Sequence, residues 1–147
     1  MKASELTLGS WVIATNNGVC PLPGKIAEML PRAGRVVGID GDCVWLSFVD
    51  FGFMLDAIEP VELTAEILKK NGFENTSVII VGTPKMRWVS EDERTEITIW
   101  IDDTTPMEIR KNVYYEDEET YTLPSPVCVH ELQNAIRLCG IDKEVQL

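Results

Sequence analysis

The chain has 147 residues, of which 45% are hydrophobic and 25% charged, and its 24 acidic and 13 basic residues give a formal net charge of −11. This composition is typical of a soluble globular protein with a sizeable core, and it excludes intrinsic disorder. The negative charge disfavours nucleic-acid binding because it repels a phosphate backbone.

Targeting signals and cysteine motifs are not evident in the sequence. No apolar run approaches the roughly 18 residues that a membrane span needs, and the first residues lack the apolar region of a signal peptide. We therefore expect a cytoplasmic protein that does not enter a membrane. The cysteines form no CxxC pair, so they are expected to be small buried hydrophobic residues and not a zinc or redox motif: Cys20, Cys43, Cys128 and Cys139.

The N-terminal part is predicted to form short strands. A first strand is expected at 11–13, and residues 34–48 have the pattern of a β-hairpin, in which two apolar runs flank Asp40, Gly41 and Asp42. Glycine and aspartate tolerate the backbone angles that tight hairpin turns require. Between these strands, "KIAEML" at 25–30 predicts one or two helical turns.

A helix is predicted at 64–71. Thr64 is a suitable N-cap, Leu63 can pack against Leu68, and Gly72 can adopt the left-handed conformation that ends a helix. We expect a short helix of about two turns that links the two parts of the chain.

From 77 to 129 the hydrophobic pattern has a period of two, which predicts five strands of an antiparallel sheet: "SVIIV" at 77–81, "KMRWV" at 85–89, "TEITIWI" at 95–101, "MEIRKNVYY" at 107–115 and "YTLPSPVCV" at 121–129. The acidic stretches 90–93 and 116–119 fall where hairpin loops are expected. Within 95–101, Ile97 and Ile99 share one face while Glu96 and Thr98 share the other, as in a sheet covered on one side. An amphipathic helix is predicted at 129–141, ended by Gly140, and is expected to cover the sheet.

Catalytic and metal-binding motifs are not fulfilled. His130, the only histidine, is followed by Glu131, but the second histidine of an HExxH zinc motif would be at Asn134. Cys128 and His130 would point the same way in an extended segment, which leaves a Cys-His nucleophile as the alternative enzyme hypothesis. No phosphate-binding loop is present. We therefore assign no catalytic, cofactor-binding or metal-binding residue and predict a protein that is not an enzyme.

Residues 34–61 resemble the Tudor family of SH3-like barrels. The family's F-[VI]-D-[YF]-G segment is matched by residues 48–52, although Phe53 stands where the family has asparagine. The resemblance implies an aromatic cage that holds a methylated ammonium or guanidinium by cation–π attraction. Trp45, Phe51 and Phe53 are accordingly the candidate partner-binding residues.

A second resemblance covers most of the chain. The segments "KASELTLGSWV", "IEPVELTAEILKKNGF" and "VHELQNAIRL" are similar, in this order, to a family of small uncharacterised proteins from gut anaerobic bacteria and their phages or mobile elements. This resemblance implies no activity. Within it, His130, Gln133 and Asn134 form a candidate polar cluster, which either satisfies backbone groups at the start of the last helix or binds a ligand.

The sequence thus predicts an α+β protein with an N-terminal SH3-like, Tudor-like β-barrel over 1–61. Residues 62–147 are expected to supply the linking helix, an antiparallel sheet and a C-terminal helix packed on it, either as a separate domain or within one core shared with the barrel. The predicted function is a non-catalytic module that binds a protein or peptide partner. The alternatives are an enzyme that uses Cys128 and His130, or an acidic, phage-encoded mimic of nucleic acid.

Overall fold

A computed structural model describes residues 5–16, 28–76, 85–101 and 104–147. The chain divides into two compact units, and each is discontinuous in sequence. Unit 1 comprises Met1–Glu62 and Cys128–Asn134, and unit 2 comprises Leu63–Val127 and Ala135–Leu147. The predicted α+β class is confirmed, since two antiparallel sheets and a C-terminal helix are present.

Unit 1 contains a five-stranded antiparallel sheet with the strand order β4-β3-β2-β1-β5. A 3-10 helix at Leu55–Ala57 immediately precedes β5. The described residues do not close this sheet into a barrel, so the SH3-like barrel stays a prediction. The strands are β1 Trp11–Ala14, β2 Arg32–Asp40, β3 Cys43–Leu46, β4 Gly52–Met54 and β5 Ile58–Pro60.

The β2–β3 hairpin forms as the sequence predicts, with Gly41 at φ +57° in its turn. Its alternating apolar residues give the sheet one buried and one half-exposed face. Val36 pairs with Leu46 and Gly38 pairs with Trp45, so Val37 is an extra, bulged residue, and it is 56% exposed. The buried face carries the core of unit 1, which contains Leu6, Val12, Ala14, Val36, Val44, Leu46, Phe53, Ala57 and Ile58.

The segment Cys128–Asn134 belongs to unit 1 although it follows unit 2 in sequence. Cys128 forms an isolated antiparallel bridge with Glu62, and the Val129 N–H donates to the Val61 carbonyl at 2.9 Å. Helix α2, Val129–Leu138, begins directly after this bridge. Gly140, at φ +67°, follows the helix end as predicted. In the described part of the chain, no helix is long and apolar enough to cross a membrane.

Helix α1, Ala65–Lys70, confirms the predicted linking helix. The Thr64 side chain accepts a hydrogen bond from the Ile67 N–H at 3.3 Å, as an N-cap does. Gly72 takes φ +80°, and the Phe73 N–H donates to the Leu68 carbonyl at 3.0 Å, which satisfies a carbonyl at the helix end.

Unit 2 contains the second five-stranded antiparallel sheet, in the order β10-β9-β8-β7-β6. The predicted strand at 77–81 and the predicted helical turns at 25–30 fall wholly or largely outside the described residues. The strand predicted from "YTLPSPVCV" is shorter than expected because prolines follow it. The strands are β6 Glu74–Asn75, β7 Lys85–Val89, β8 Thr95–Trp100, β9 Met107–Lys111 and β10 Glu119–Leu123.

Strand β8 corrects one expectation from the sequence. Alternation predicted that Glu96 and Thr98 face solvent, but both are buried together with Ile97 and Ile99. The Glu96 carboxylate is satisfied there by the Arg87 guanidinium at 2.8 Å and by the Thr98 hydroxyl at 3.3 Å. The polar face of β8 can therefore be buried, because the strand is central in its sheet and the Glu96 charge is paired with Arg87.

Candidate functional site

The half-exposed face of the unit 1 sheet presents a small mixed surface centred on Trp45. Paired residues of neighbouring strands point to the same side of a sheet, so the register places two adjacent rows on this face. One row is Gly38, Trp45 and Gly52, and the next is Asp40, Cys43 and Met54. We call Asp40, Cys43, Trp45 and Met54 the Trp45 patch. Asp40 is exposed, Met54 is 42% exposed, and Trp45 and Cys43 are partly exposed.

Two glycines allow the Trp45 indole to lie on the sheet. A Cβ atom at Gly52 would be 3.3 Å from the Trp45 Cε2 atom, and one at Gly38 would be 3.6 Å from the Cε3 atom. The ring therefore lies across the backbone of both neighbouring strands, tightly at Gly52 and at ordinary van der Waals distance at Gly38. This arrangement fixes the indole while leaving part of it accessible to a partner.

The charges around this face are strongly unequal. The described basic residues of unit 1 are Arg32 and Arg35. Each guanidinium already lies over an aromatic ring, Arg32 over Phe48 at 4.8 Å and Arg35 over Trp11 at 4.9 Å. The described acidic residues of unit 1 are Glu5, Glu28, Asp40, Asp42, Asp50, Asp56, Glu59, Glu62 and Glu131. The surface of unit 1 is thus suited to a cationic partner.

The three aromatic residues predicted to bind a partner do not form one surface. Phe53 is 1% exposed and lies in the core of unit 1, because it pairs with Val44 on the buried face. Phe51 is partly buried and packs edge-on against Phe53, with ring centroids 4.9 Å apart. Trp45 lies on the opposite face. Of the predicted trio, Trp45 is therefore the residue that offers an accessible ring on the sheet.

A second cluster forms where the chain re-enters unit 1. The Cys128 Sγ and His130 Nε2 atoms are 3.6 Å apart, and a Glu131 carboxylate oxygen lies within 4.8 Å of both. The Cys128 N–H donates to Glu131 Oε2 at 3.3 Å. Cys128 and His130 are 5% and 4% exposed, whereas Glu131 is exposed. Among the described residues, these three side chains form a group whose ligand atoms are close enough together to hold one metal ion.

Electrostatics keep both buried members of this cluster neutral. Burial raises the pKa of the Cys128 thiol to about 12, and hydrogen bonding to Glu131 together with its negative charge adds to this effect. Burial also lowers the pKa of His130, against the opposing influence of the Glu131 and Glu5 carboxylates. A protonated thiol beside a neutral imidazole is a weak nucleophile, so the pair does not have the electrostatics of a catalytic dyad.

The predicted polar cluster is divided between packing and local hydrogen bonding. His130 and Gln133 are buried, and the His130 Nδ1 atom has no hydrogen-bond partner among the described residues. Asn134 accepts from the Thr7 hydroxyl at 2.8 Å and donates to the Glu5 carbonyl at 3.3 Å. Asn134 therefore ties the N-terminal residues of unit 1 to the re-entering segment.

Unit 2 contains a polar cleft that sequence reasoning missed. It has a volume of about 310 Å³ and is lined by Arg87, Val89, Glu93, Glu96, Val113 and Tyr114. The Arg87–Glu96 ion pair forms part of its wall, and the Arg87 Nε atom is buried without a hydrogen-bond partner in the described part of the chain. The one signal for this cleft is that Arg87 pairs with Thr98 on the neighbouring strand and so lies close to Glu96. This pairing cannot be read from the sequence before the register of the two strands is known.

Sequence reasoning also missed the role of Glu131 and of the two glycines under Trp45. Glu131 was considered only as part of a failed zinc motif, although it is adjacent to His130 and three residues from Cys128. No protein-family model, curated protein or solved structure matches this chain. The functional inferences below therefore depend on the geometry of the two units.

Proposed function

We propose that this chain is a non-catalytic protein-binding module that holds a lysine or arginine side chain of its partner on the Trp45 patch. The observation that carries the proposal is the partly exposed Trp45 indole, laid across Gly38 and Gly52 beside Met54 and Asp40. The aromatic face and the carboxylate match the positive charge of such a side chain, and the thioether matches its apolar stem.

The expected interaction is modest for each contact. A cation over an indole contributes about 0.5–1 kcal/mol at an exposed site and about 2 kcal/mol when it is desolvated. The aliphatic stem of lysine or arginine can cover the exposed Met54 side chain. Because Asp40 lies in the adjacent row, its carboxylate can approach the same cation. Several such contacts along a peptide are needed for stable binding, since one patch this small is below the area of a standard interface.

The SH3-like arrangement is part of this proposal. The strand order β4-β3-β2-β1-β5 and the 3-10 helix before β5 support it, as does the resemblance of residues 34–61 to Tudor repeats. In contrast to the cage that this resemblance implies, the proposed contact uses Trp45 without Phe53, whose ring is buried.

A Cys-His enzyme is the less favoured alternative. Cys128 is buried and its pKa is raised to about 12, so almost none of it is thiolate at neutral pH. Activation of a nucleophile would require the opposite shift.

The proposal is tested by titrating the ¹⁵N-labelled protein with arginine- and lysine-containing peptides of random sequence and with matched glutamate-containing peptides. We expect the Trp45 indole N–H and the amides of Cys43 and Met54 to shift with the cationic peptides only. The variants Trp45→Ala and Asp40→Asn should weaken binding, the first by about twofold to thirtyfold, which corresponds to the loss of about 0.5–2 kcal/mol.

Two matched variants serve as controls. Asp56→Asn removes the same charge from an exposed residue of the 3-10 helix, and Trp11→Phe alters a tryptophan whose ring Arg35 already covers. Both should bind like the wild type. If a folded Trp45→Ala protein binds every cationic peptide with unchanged affinity, the Trp45 patch is not the binding site.

A second candidate function, a mimic of nucleic acid, is favoured by the placement of two acidic loops. The β7–β8 and β9–β10 turns, which carry the acidic residues 91–93 and 116–118, lie at the same end of the unit 2 sheet. They are linked by the Val113 N–H, which donates to the Arg94 carbonyl, and by the Arg94 guanidinium over the Tyr115 ring at 4.9 Å. Clustered carboxylates on rigid turns can compete with phosphates for a basic protein.

Competition experiments distinguish the two candidates. If the mimic is correct, the protein displaces labelled duplex DNA from a lysine-rich peptide, and replacing Glu91, Glu116 and Asp117 by neutral residues abolishes the competition while Trp45→Ala does not. The reverse dependence on these variants supports the Trp45 patch.

A further inference from the structure

We propose that Cys128, His130 and Glu131 form a binding site for one zinc-type divalent cation, with Cys128 Sγ, His130 Nε2 and a Glu131 carboxylate oxygen as ligands. The three atoms converge within 4.8 Å of one another inside unit 1. Thiolate, imidazole and carboxylate are the ligand types that zinc selects in proteins.

The separation of sulfur and nitrogen agrees with tetrahedral coordination. Zinc lies about 2.3 Å from a cysteine sulfur and about 2.0–2.1 Å from a histidine nitrogen, so the tetrahedral angle requires the two ligand atoms to be about 3.6 Å apart. The observed distance between Cys128 Sγ and His130 Nε2 is 3.6 Å. The two ligands are therefore already spaced for the ion.

Glu131 needs a small movement to complete the set. A zinc–oxygen bond of about 2.0–2.2 Å places the oxygen about 3.5 Å from the other ligands, so the carboxylate must approach by about 1 Å. Glu131 is exposed, and one of its carboxylate oxygens can turn toward the ion while the other keeps the hydrogen bond from the Cys128 N–H. Three protein ligands leave a fourth position for water or an exogenous ligand.

The charged groups that act on the cluster are negative. The Glu131 and Glu5 carboxylates both act on Cys128 and on His130. A bound cation replaces the thiol proton of Cys128, because a metal binds the thiolate. The carboxylates then offset the charge of the incoming ion.

Local structure explains how three close residues can chelate one ion. Cys128 is extended in its bridge to Glu62, and His130 and Glu131 lie in the first turn of helix α2. This change from strand to helix turns the three side chains toward one point. The His130 ring is 4% exposed, so packing fixes its orientation.

Cobalt(II) provides a direct spectroscopic test on the tag-free, EDTA-treated and reduced protein. We expect a thiolate-to-cobalt absorption band that saturates at one equivalent and is removed by added Zn²⁺. Zn²⁺ should also raise the melting temperature, because it binds the folded state. X-ray absorption of the zinc-loaded wild type should show one sulfur ligand with nitrogen and oxygen ligands. The absence of the cobalt band or of a sulfur ligand would overturn the proposal without any variant.

Variants assign the ligands. Cys128→Ser should abolish the cobalt band, His130→Gln should weaken binding by at least about tenfold, and Glu131→Gln should weaken it less. Cys20→Ser, Cys43→Ser and Cys139→Ser are matched controls and should retain the band. Circular dichroism confirms that each variant folds. A band that survives in Cys128→Ser, or that is lost in Cys43→Ser, shows that the ion binds elsewhere and refutes the assignment.

Discussion

Glycine positions decide how aromatic rings pack in unit 1. Gly38 and Gly52 make room for Trp45 on one face, and Gly34 makes room for Phe48 near the core. None of these three glycines was recognised from the sequence as a packing residue, because each is visible only when neighbouring strands are in register. A residue that contributes no side chain can therefore determine where the accessible aromatic surface lies.

Gly34→Ala tests this role in stability. The added Cβ would lie 2.6 Å from two carbon atoms of the Phe48 ring, so the ring must move and its contact with Arg32 must weaken. We expect a loss of about 1–3 kcal/mol in the free energy of unfolding, as for other overpacked sites. Urea denaturation measures it. Gly38→Ala, whose Cβ meets Trp45 at an ordinary 3.6 Å, should cost clearly less, and equal losses would contradict the steric explanation.

The Arg87–Glu96 pair predicts a defined response to acid. The hydrogen bond from Arg87 lowers the pKa of Glu96 below its usual range, against the opposing effect of burial. A depressed pKa in the folded state means that the pair stabilises the fold above the unfolded-state value of about 4.3 and loses this contribution as the pH falls through the lower folded value.

The matched variant for this effect is Glu96→Gln. At pH 7 it should reduce the free energy of unfolding by about 1–2 kcal/mol, less than a fully buried pair because Arg87 is partly exposed. The difference between wild type and variant should narrow as the pH falls below about 4. A difference in unfolding free energy that is constant from pH 7 to pH 3 would be inconsistent with the lowered pKa.

At the scale of secondary structure, elements with local signals were predictable. The N-cap Thr64, the stop at Gly72 and the turn at Gly41 each act through residues adjacent in sequence, and the elements around them formed as expected. The polar residues of strand β8 alternate with apolar ones, but their face is not exposed. Arg87 on β7 covers this face and pairs with Glu96. Periodicity indicates the side of a strand but not what covers that side.

Helix α1 depends on its cap because it has only six residues. Thr64→Ala removes the acceptor for the Ile67 N–H and should lower the free energy of unfolding by about 1 kcal/mol. Thr64→Ser retains a hydroxyl and should remain within a few tenths of a kcal/mol of the wild type. Chemical denaturation followed by far-UV circular dichroism compares the two. Equal loss in both variants would show that the Thr64 methyl group matters more than its oxygen.

Among the candidate sites, the sequence indicated individual residues but not how the fold groups them. Cys128 and His130 were recognised as neighbours, and the structure brings them to 3.6 Å together with Glu131. The resemblance to Tudor repeats grouped Trp45 with Phe53, and the two residues lie on opposite faces of the sheet. Pairing register separates such residues, and single-sequence patterns do not determine it.

At the scale of the whole molecule, the net charge of −11 predicts that salt stabilises the protein. Raising the NaCl concentration from about 10 mM to about 150 mM shortens the screening length from about 30 Å to about 8 Å and so weakens repulsion between carboxylates. We expect the melting temperature to rise by about 2–4 °C, as for a gain of about 1 kcal/mol in a domain of this size. Calorimetry measures it, and sucrose controls for general solvent effects. A fall in the melting temperature would mean that attractive ion pairs dominate.

The re-entry of Cys128–Asn134 into unit 1 has a consequence for how the protein is made. As the chain leaves the ribosome, the first sheet emerges while the piece that completes its unit is still unsynthesised, separated from it by all of residues 63–127. Closing a flexible loop of that length costs on the order of 3–4 kcal/mol of chain entropy, a cost that prior folding of the intervening unit reduces. Completion of the N-terminal unit, including the Cys128–His130–Glu131 cluster, therefore waits until the segment Cys128–Asn134 has been translated.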